Sequence, residues 1–99
     1  MKKNQLNKYS DLFKVLSDSN RLSLVTHLCQ CREANVSELS TCCSIDLSVV
    51  SRHLSKLKNV GILGAKKKGK EVYYELKASE LSHLLRELAD EIDKADCCR

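Results

Sequence analysis

Residues 46–76 read DLSVVSRHLSKLKNVGILGAKKKGKEVYYEL, and the rest of the chain is organised around them. Asp46 stands where a helix N-cap belongs, because a short acceptor side chain can take up the free N–H groups of the first turn. Behind it Leu47, Val50, Leu54 and Leu57 recur at i, i+3, i+7 and i+10, the spacing of one apolar helix face. Gly61 can close that helix in a left-handed cap. Two β-leaning runs follow, residues 62–66 and 71–76. The connection Lys67-Lys68-Gly69-Lys70 between them has the length and the glycine of a hairpin turn. The stretch is therefore expected to be a helix that runs directly into a hairpin with a basic tip.

Upstream, Leu6, Tyr9, Leu12, Phe13 and Leu16 repeat at helical spacing as far as Ser17-Asp18-Ser19, a cluster able to cap a second helix carrying Leu22, Val25 and Leu28. After a polar break over residues 32–35, Val36, Leu39 and Cys43 share one face of a short helix that Asn35 or Ser37 can cap. Downstream, Leu81, Leu84, Leu85, Leu88 and Ile92 form an apolar stripe on a terminal helix, and such a stripe needs a partner surface. With no proline, three glycines and no repeat, nothing divides the chain. The expected fold is mainly α with a β-hairpin wing, in the order α1-α2-α3-α4-β-β-α5, as a single domain over residues 1–99.

The composition narrows the class of function. Apolar residues make up 42% of the chain and aromatics only 4%, so the core has to be built from aliphatic side chains, as packed helices allow. The N-terminus, MKKNQLNKYSDLF, has no apolar signal segment, and no run reaches the roughly 18 apolar residues of a membrane span. A cytoplasmic location, no membrane partner and reduced thiols are the expectation. The formal charge of +4 is modest, but four lysines, Lys66, Lys67, Lys68 and Lys70, fall within five residues. That placement gives one face an attraction for polyanions.

Two short helices joined by a tight turn and followed by a hairpin have the dimensions of a helix-turn-helix with a wing. On the second of these helices Ser48, Val49, Ser51, Arg52, Ser55, Lys56 and Lys58 lie off the apolar stripe, small and basic enough to approach base edges and phosphates. The wing lysines Lys66, Lys67, Lys68 and Lys70 are placed to neutralise phosphates. Double-stranded operator DNA is the expected partner. His53 is expected to pack beneath the helix and to satisfy a local hydrogen bond rather than to hold a metal. No nucleophile–base pair, carboxylate pair or phosphate loop stands at catalytic spacing, so an enzyme is not expected.

Ser51-Arg52-His53-Leu54, preceded by Leu12-Phe13-Lys14-Val15-Leu16-Ser17-Asp18-Ser19-Asn20-Arg21-Leu22 and followed by Val72-Tyr73-Tyr74-Glu75-Leu76, resembles the ArsR/SmtB family of winged helix-turn-helix repressors. The resemblance runs over nearly the whole chain. It implies a homodimer built through the first and last helices, where Leu6, Tyr9, Leu81, Leu84, Leu85, Leu88 and Ile92 would form the contact. It also implies a repressor that a soft metal or metalloid releases from DNA. The frequent inducer motif of the family, ELCVCDL, is absent. The matching stretch reads Glu33-Ala34-Asn35-Val36-Ser37-Glu38-Leu39, with Asn35 and Ser37 in the two cysteine positions. The last-helix zinc pattern is incomplete as well, since His83 has no second histidine after it.

The six cysteines fall in three pairs, Cys29 with Cys31, Cys42 with Cys43, and Cys97 with Cys98. Thiolates are the ligands that select soft metals and metalloids. Cys97 and Cys98 are expected to lead, because a vicinal pair at a chain end can deliver two sulfurs without distorting a core. A third sulfur would come from Cys29, Cys31 or Cys42. Cys43 lies on the apolar stripe of its helix and is expected in the core. The expected inducer is arsenite or a related metalloid, with no obligatory cofactor. The alternative is a thiol-redox or persulfide sensor on the same fold, which needs a reversible disulfide rather than thiolates alone.

Overall fold

Asp18, Asn35 and Asp46 decide where three of the helices begin. Asp18 accepts hydrogen bonds from the backbone N–H groups of Asn20 and Arg21, and Asp46 accepts one from that of Ser48. Asn35 and Glu38 form a reciprocal pair, each side chain accepting the other's backbone N–H. The structure, a computed structural model, describes residues 2–97, and the side chains of residues 96 and 97 lie outside that description. Its elements are α1 (Lys3–Leu16), α2 (Ser19–Gln30), β1 (Ala34–Asn35), α3 (Val36–Cys43), α4 (Leu47–Asn59), β2 (Leu63–Lys68), β3 (Glu71–Leu76) and α5 (Ala78–Cys97).

The expected order of five helices with a wing between the fourth and fifth is present, with one strand added. Ala34 and Asn35 pair antiparallel with Tyr74 and Tyr73, so the sheet runs β1-β3-β2. The polar break is thus a short edge strand whose N–H and C=O groups find partners on β3. The hairpin is also tighter than expected. The ladder continues from Leu63↔Leu76 to Lys68↔Glu71, which leaves Gly69 and Lys70 as the connection, with Gly69 at φ 63°. Lys67 and Lys68 are strand residues, because pairing up to the turn satisfies two more sets of backbone groups.

Leu24, Leu39, Val50, Leu54 and Leu57 have no accessible surface, and Leu12 and Leu63 almost none. Together they fill the space between α2, α3, α4 and the base of the wing, each contributing roughly 1.5–3 kcal/mol on burial. Outside the expected dimer contacts, three residues of the expected apolar faces point outward instead, Phe13 on α1 among them at 48% exposure. Leu22 is 49% exposed, since α2 turns Leu24, Val25 and Leu28 inward, and Leu47 is 51% exposed at the first turn of α4.

Ser44 ends α3 in the left-handed region at φ 55°, and Gly61 follows α4 at φ 86°. These two reversals set the entry and exit of α4. The α5 helix, about 30 Å long at 1.5 Å per residue, extends the molecule to 54 × 24 × 23 Å. Among the described side chains of α5, Leu81 alone is buried.

Candidate nucleic-acid interface and thiol cluster

The outward side of α4 carries Ser48, Ser51, Arg52, Ser55 and Lys56, all exposed, while Val50, Leu54 and Leu57 hold the opposite side in the core. Val49 is half-buried and leans on that core, so it offers the outer surface only part of its side chain. Ser48 donates its hydroxyl to Asp46, and this bond, reinforced by the Ser48 N–H, holds the Asp46 carboxyl below its ordinary pKa. The lone pairs of Ser48 Oγ remain open to a donor.

Beneath this face lies a contact that sequence spacing does not reveal. Arg21, on the first turn of α2, donates from Nε to the carbonyl of Val15 and from Nη1 to His53 Nδ1. His53 Nε2 faces Asp18 Oδ1 at 3.8 Å. His53 is half-buried as expected, but its partner is 32 residues away rather than local. Burial lowers its pKa, with Arg21, Lys56 and Arg52 acting in the same direction and Asp18 opposing them. The network ties the end of α1 and the start of α2 to the middle of α4.

The wing lysines are not equivalent. Lys68 forms an ion pair with Glu33, just ahead of β1, and stands 5.3 Å over the ring of Tyr73. That contact is the main reason the Glu33 carboxyl titrates below its usual value. Lys66 lies 3.7 Å from Glu75 across the ladder. Among the described residues, Lys67 and Lys70 have no ion-pair partner and are exposed. Glu33 was missed in the sequence because only the pairing of β1 with β3 brings it to the wing.

The thiols separate into unequal groups. Cys29 is exposed on α2, and Cys31 caps that helix in an extended conformation with its side chain against the core. Cys42 and Cys43 occupy the last turn of α3 with their sulfurs 3.5 Å apart, and Cys42 Sγ lies 3.6 Å from the carbonyl of Leu39. Desolvation first, then the contact with Cys43, pushes the Cys42 thiol up to about 11, and the Cys31 thiol adds to the effect. Cys43 does lean on the core as expected, yet it also opens, with Cys42, into a cleft of about 440 Å³ against α2 that His27 and Gln30 help to line. Among the described residues no three His, Cys, Asp or Glu side chains gather closely enough to hold a metal ion. The expected tail site, Cys98 with the side chain of Cys97, lies outside the described residues.

The sequence profile described as "Bacterial regulatory protein, arsR family" matches residues 18–64, from the cap of α2 to the start of the wing. The arsenical resistance operon repressor of Bacillus subtilis (strain 168) is 32% identical over 97 residues, which take in 94% of this chain and 92% of that protein. The chain belongs to the arsR family. Relatives of this family are transcriptional regulators and not enzymes. The cadmium resistance regulatory protein CadC of Listeria innocua is 36% identical over 76 residues, 77% of this chain but 64% of that protein, so the chain spans only about two thirds of that relative's length. Among solved structures, the winged helix-turn-helix DNA-binding domain of a possible ArsR-family regulator from Mycobacterium bovis, described as homodimeric, superposes with a TM-score of 0.69 at 28% identity. That match covers 87% of this chain and 82% of that one.

Within this arsR-family winged helix-turn-helix fold the expected dimer residues split into two sets. Tyr9 and Leu81 are buried in the chain's own core, and Tyr9 donates its hydroxyl to Glu87 at 3.2 Å, joining α1 to α5. Leu84 also packs on that core, and Leu88 is half-buried. Leu6, Leu85 and Ile92 are 53%, 40% and 63% exposed, and Phe13, not among the expected contacts, is 48% exposed. No helix among the described residues is long and apolar enough to cross a membrane.

Proposed function

We propose that this arsR-family chain is a cytoplasmic, homodimeric transcriptional repressor that binds double-stranded operator DNA and leaves it when a thiophilic inducer, arsenite or a related metalloid, is taken up by its cysteine thiols. The observation that carries the DNA-binding part is the joint placement of α4 and the wing. The polar and basic side of α4 is exposed over its whole length, and the unpaired Lys67 and Lys70 stand at the tip of the adjoining hairpin. In this arrangement Arg52 reads a base edge while Ser48, Ser51, Ser55, Lys56 and the wing lysines meet the backbone. Dimerisation through the exposed apolar residues of α1 and α5 would set two recognition helices one turn of DNA apart, about 34 Å.

The inducer class rests on the chemistry of the donors. Six thiols give the chain its anionic soft ligands, the described cysteines are free, and the Bacillus subtilis relative is named for arsenical resistance. Cys97 and Cys98 remain the proposed tail ligands, with Cys29, Cys31 and Cys42 as sources of further sulfur. The test is an anisotropy titration of the reduced protein on a duplex selected from a random pool, repeated with arsenite, cadmium and zinc. Salt-sensitive binding of a two-half-site duplex that arsenite abolishes and zinc does not is the expected result. Binding indifferent to every thiophile would refute the inducer assignment, and absence of sequence preference would refute the operator assignment.

A further inference from the structure

The geometry points to Cys42 and Cys43 as a two-sulfur site for a trivalent arsenical with exchangeable hydroxyls, able to act without the tail thiols and coupled to the recognition helix through the turn between α3 and α4. The inference rests on the inducer reading above and adds its location, its ligand number and its route to DNA. A thiophilic centre that holds each sulfur at about 2.3 Å leaves two ligating sulfurs ~3.5–4 Å apart. Cys42 Sγ and Cys43 Sγ already stand 3.5 Å apart, so one centre can bridge them with little movement of the backbone. Both open into the cleft between α3 and α2, which has about 440 Å³ of room for the bound group.

Ligand number decides the chemistry. Among the described residues no third His, Cys, Asp or Glu converges on the pair. A structural divalent cation such as zinc ordinarily takes four protein ligands. A pyramidal trivalent arsenic needs three, and its third position can stay with a hydroxyl or an organic substituent. When arsenous acid reacts, two As–S bonds form and two As–O bonds break. Each thiol proton leaves on a departing hydroxyl as water, two waters are released, and arsenic stays trivalent, so no oxidant or reductant takes part.

The route to DNA is short. Ile45 N–H donates to the carbonyl of Ser40, and Ser40 Oγ donates back to the carbonyl of Ile45, locking the last turn of α3 to the turn that follows. Ser44 holds that turn at φ 55°, and Asp46 then caps α4. Arsenic placed on the last turn of α3 has to share the space between α2 and α3 with His27 and Gln30. Its affinity therefore depends on how α3 sits against α2, and an arrangement of α3 that favours it carries α4 along through the locked turn. An arsenical bound more tightly in that arrangement lowers operator affinity by the ratio of its two affinities, typically 5- to 150-fold.

The test uses the full reduced chain with Cys97→Ser and Cys98→Ser, probed with arsenite and with phenylarsonous acid in its trivalent form. One arsenical per chain in native mass spectra, protection of Cys42 and Cys43 from alkylation, and a loss of operator affinity of about tenfold or more are expected. Adding Cys42→Ser should abolish all three while leaving arsenical-free DNA binding intact. Should arsenicals release wild type but not the tail variant, or bind it without protecting Cys42 and Cys43, the site is wrong although the inducer reading stands. Should they fail to release wild type, the inducer reading itself falls. A loss of two hydrogens in place of added arsenic would make the pair a disulfide switch and overturn the proposal.

Discussion

Arg21 Nη1 donates to His53 Nδ1 across 3.3 Å, joining the first turn of α2 to the middle of α4. The bond requires an unprotonated Nδ1, so the ring is neutral with its proton on Nε2, facing Asp18 at 3.8 Å. Folding lowers the His53 pKa from 6.5, chiefly through burial. Below pH 6.5 the unfolded chain therefore binds more protons at this residue than the folded one. Stability from this group is complete above 6.5 and declines as pH falls towards the lower folded value. Thermal melts between pH 7.5 and 5 should show this decline in wild type and a flatter profile in His53→Gln. Equal slopes would place the acid sensitivity elsewhere.

The ion pairs of the wing predict unequal lysines. Lys67→Met and Lys70→Met should each weaken DNA binding alike on all sequences and reduce the salt slope by about one. Lys68→Met should reduce it less, because Glu33 already balances that charge. Titrations at several salt concentrations give the slopes, and a slope change for Lys68 equal to that for Lys67 would mean that DNA displaces Glu33.

On the recognition helix, Arg52→Ala should cost about 1–3 kcal/mol at the operator and blur discrimination at a single base pair. The measurement is a panel of operator variants, each with one substituted position. A loss spread evenly over all of them would make Arg52 a phosphate contact.

The terminal helix yields a paired prediction. Leu85→Asp with Ile92→Asp alters side chains that are exposed in the single chain, so sedimentation should show monomers that keep their helical circular dichroism. Leu81→Ala removes a buried side chain and should lower unfolding free energy by about 2–5 kcal/mol. If the double aspartate variant sediments as a dimer, the interface lies on another face.

Loss of the cap on α3 should be measurable too. Asn35→Ala leaves the Glu38 N–H without its acceptor and should cost about 1 kcal/mol in chemical denaturation. A neutral result would mean that the β1–β3 pairing alone holds the start of α3.

Much of this architecture follows from local rules that act within a few residues. The caps at Asp18, Asn35 and Asp46, the left-handed stop at Gly61, the stripe Val50-Leu54-Leu57 and the lysine-rich hairpin depend on side chains reaching their own backbone or repeating at helical spacing. These are properties of sequence alone, and with the SRHL segment they sufficed for the winged helix-turn-helix and its family. What depended on contacts between distant segments was decided only in the tertiary structure. The pairing of Ala34 and Asn35 with β3 brings Glu33 to Lys68, Arg21 meets His53 only once α2 crosses α4, and Leu22 and Leu47 lie outside because no neighbouring element covers them. The cysteines divide in the same way. Their pairing in sequence raises the expectation of soft-ligand chemistry, but neighbours on a helix point about 100° apart. Only in the folded chain, with Cys43 leaning on the core, do the sulfurs of Cys42 and Cys43 stand 3.5 Å apart at the end of α3.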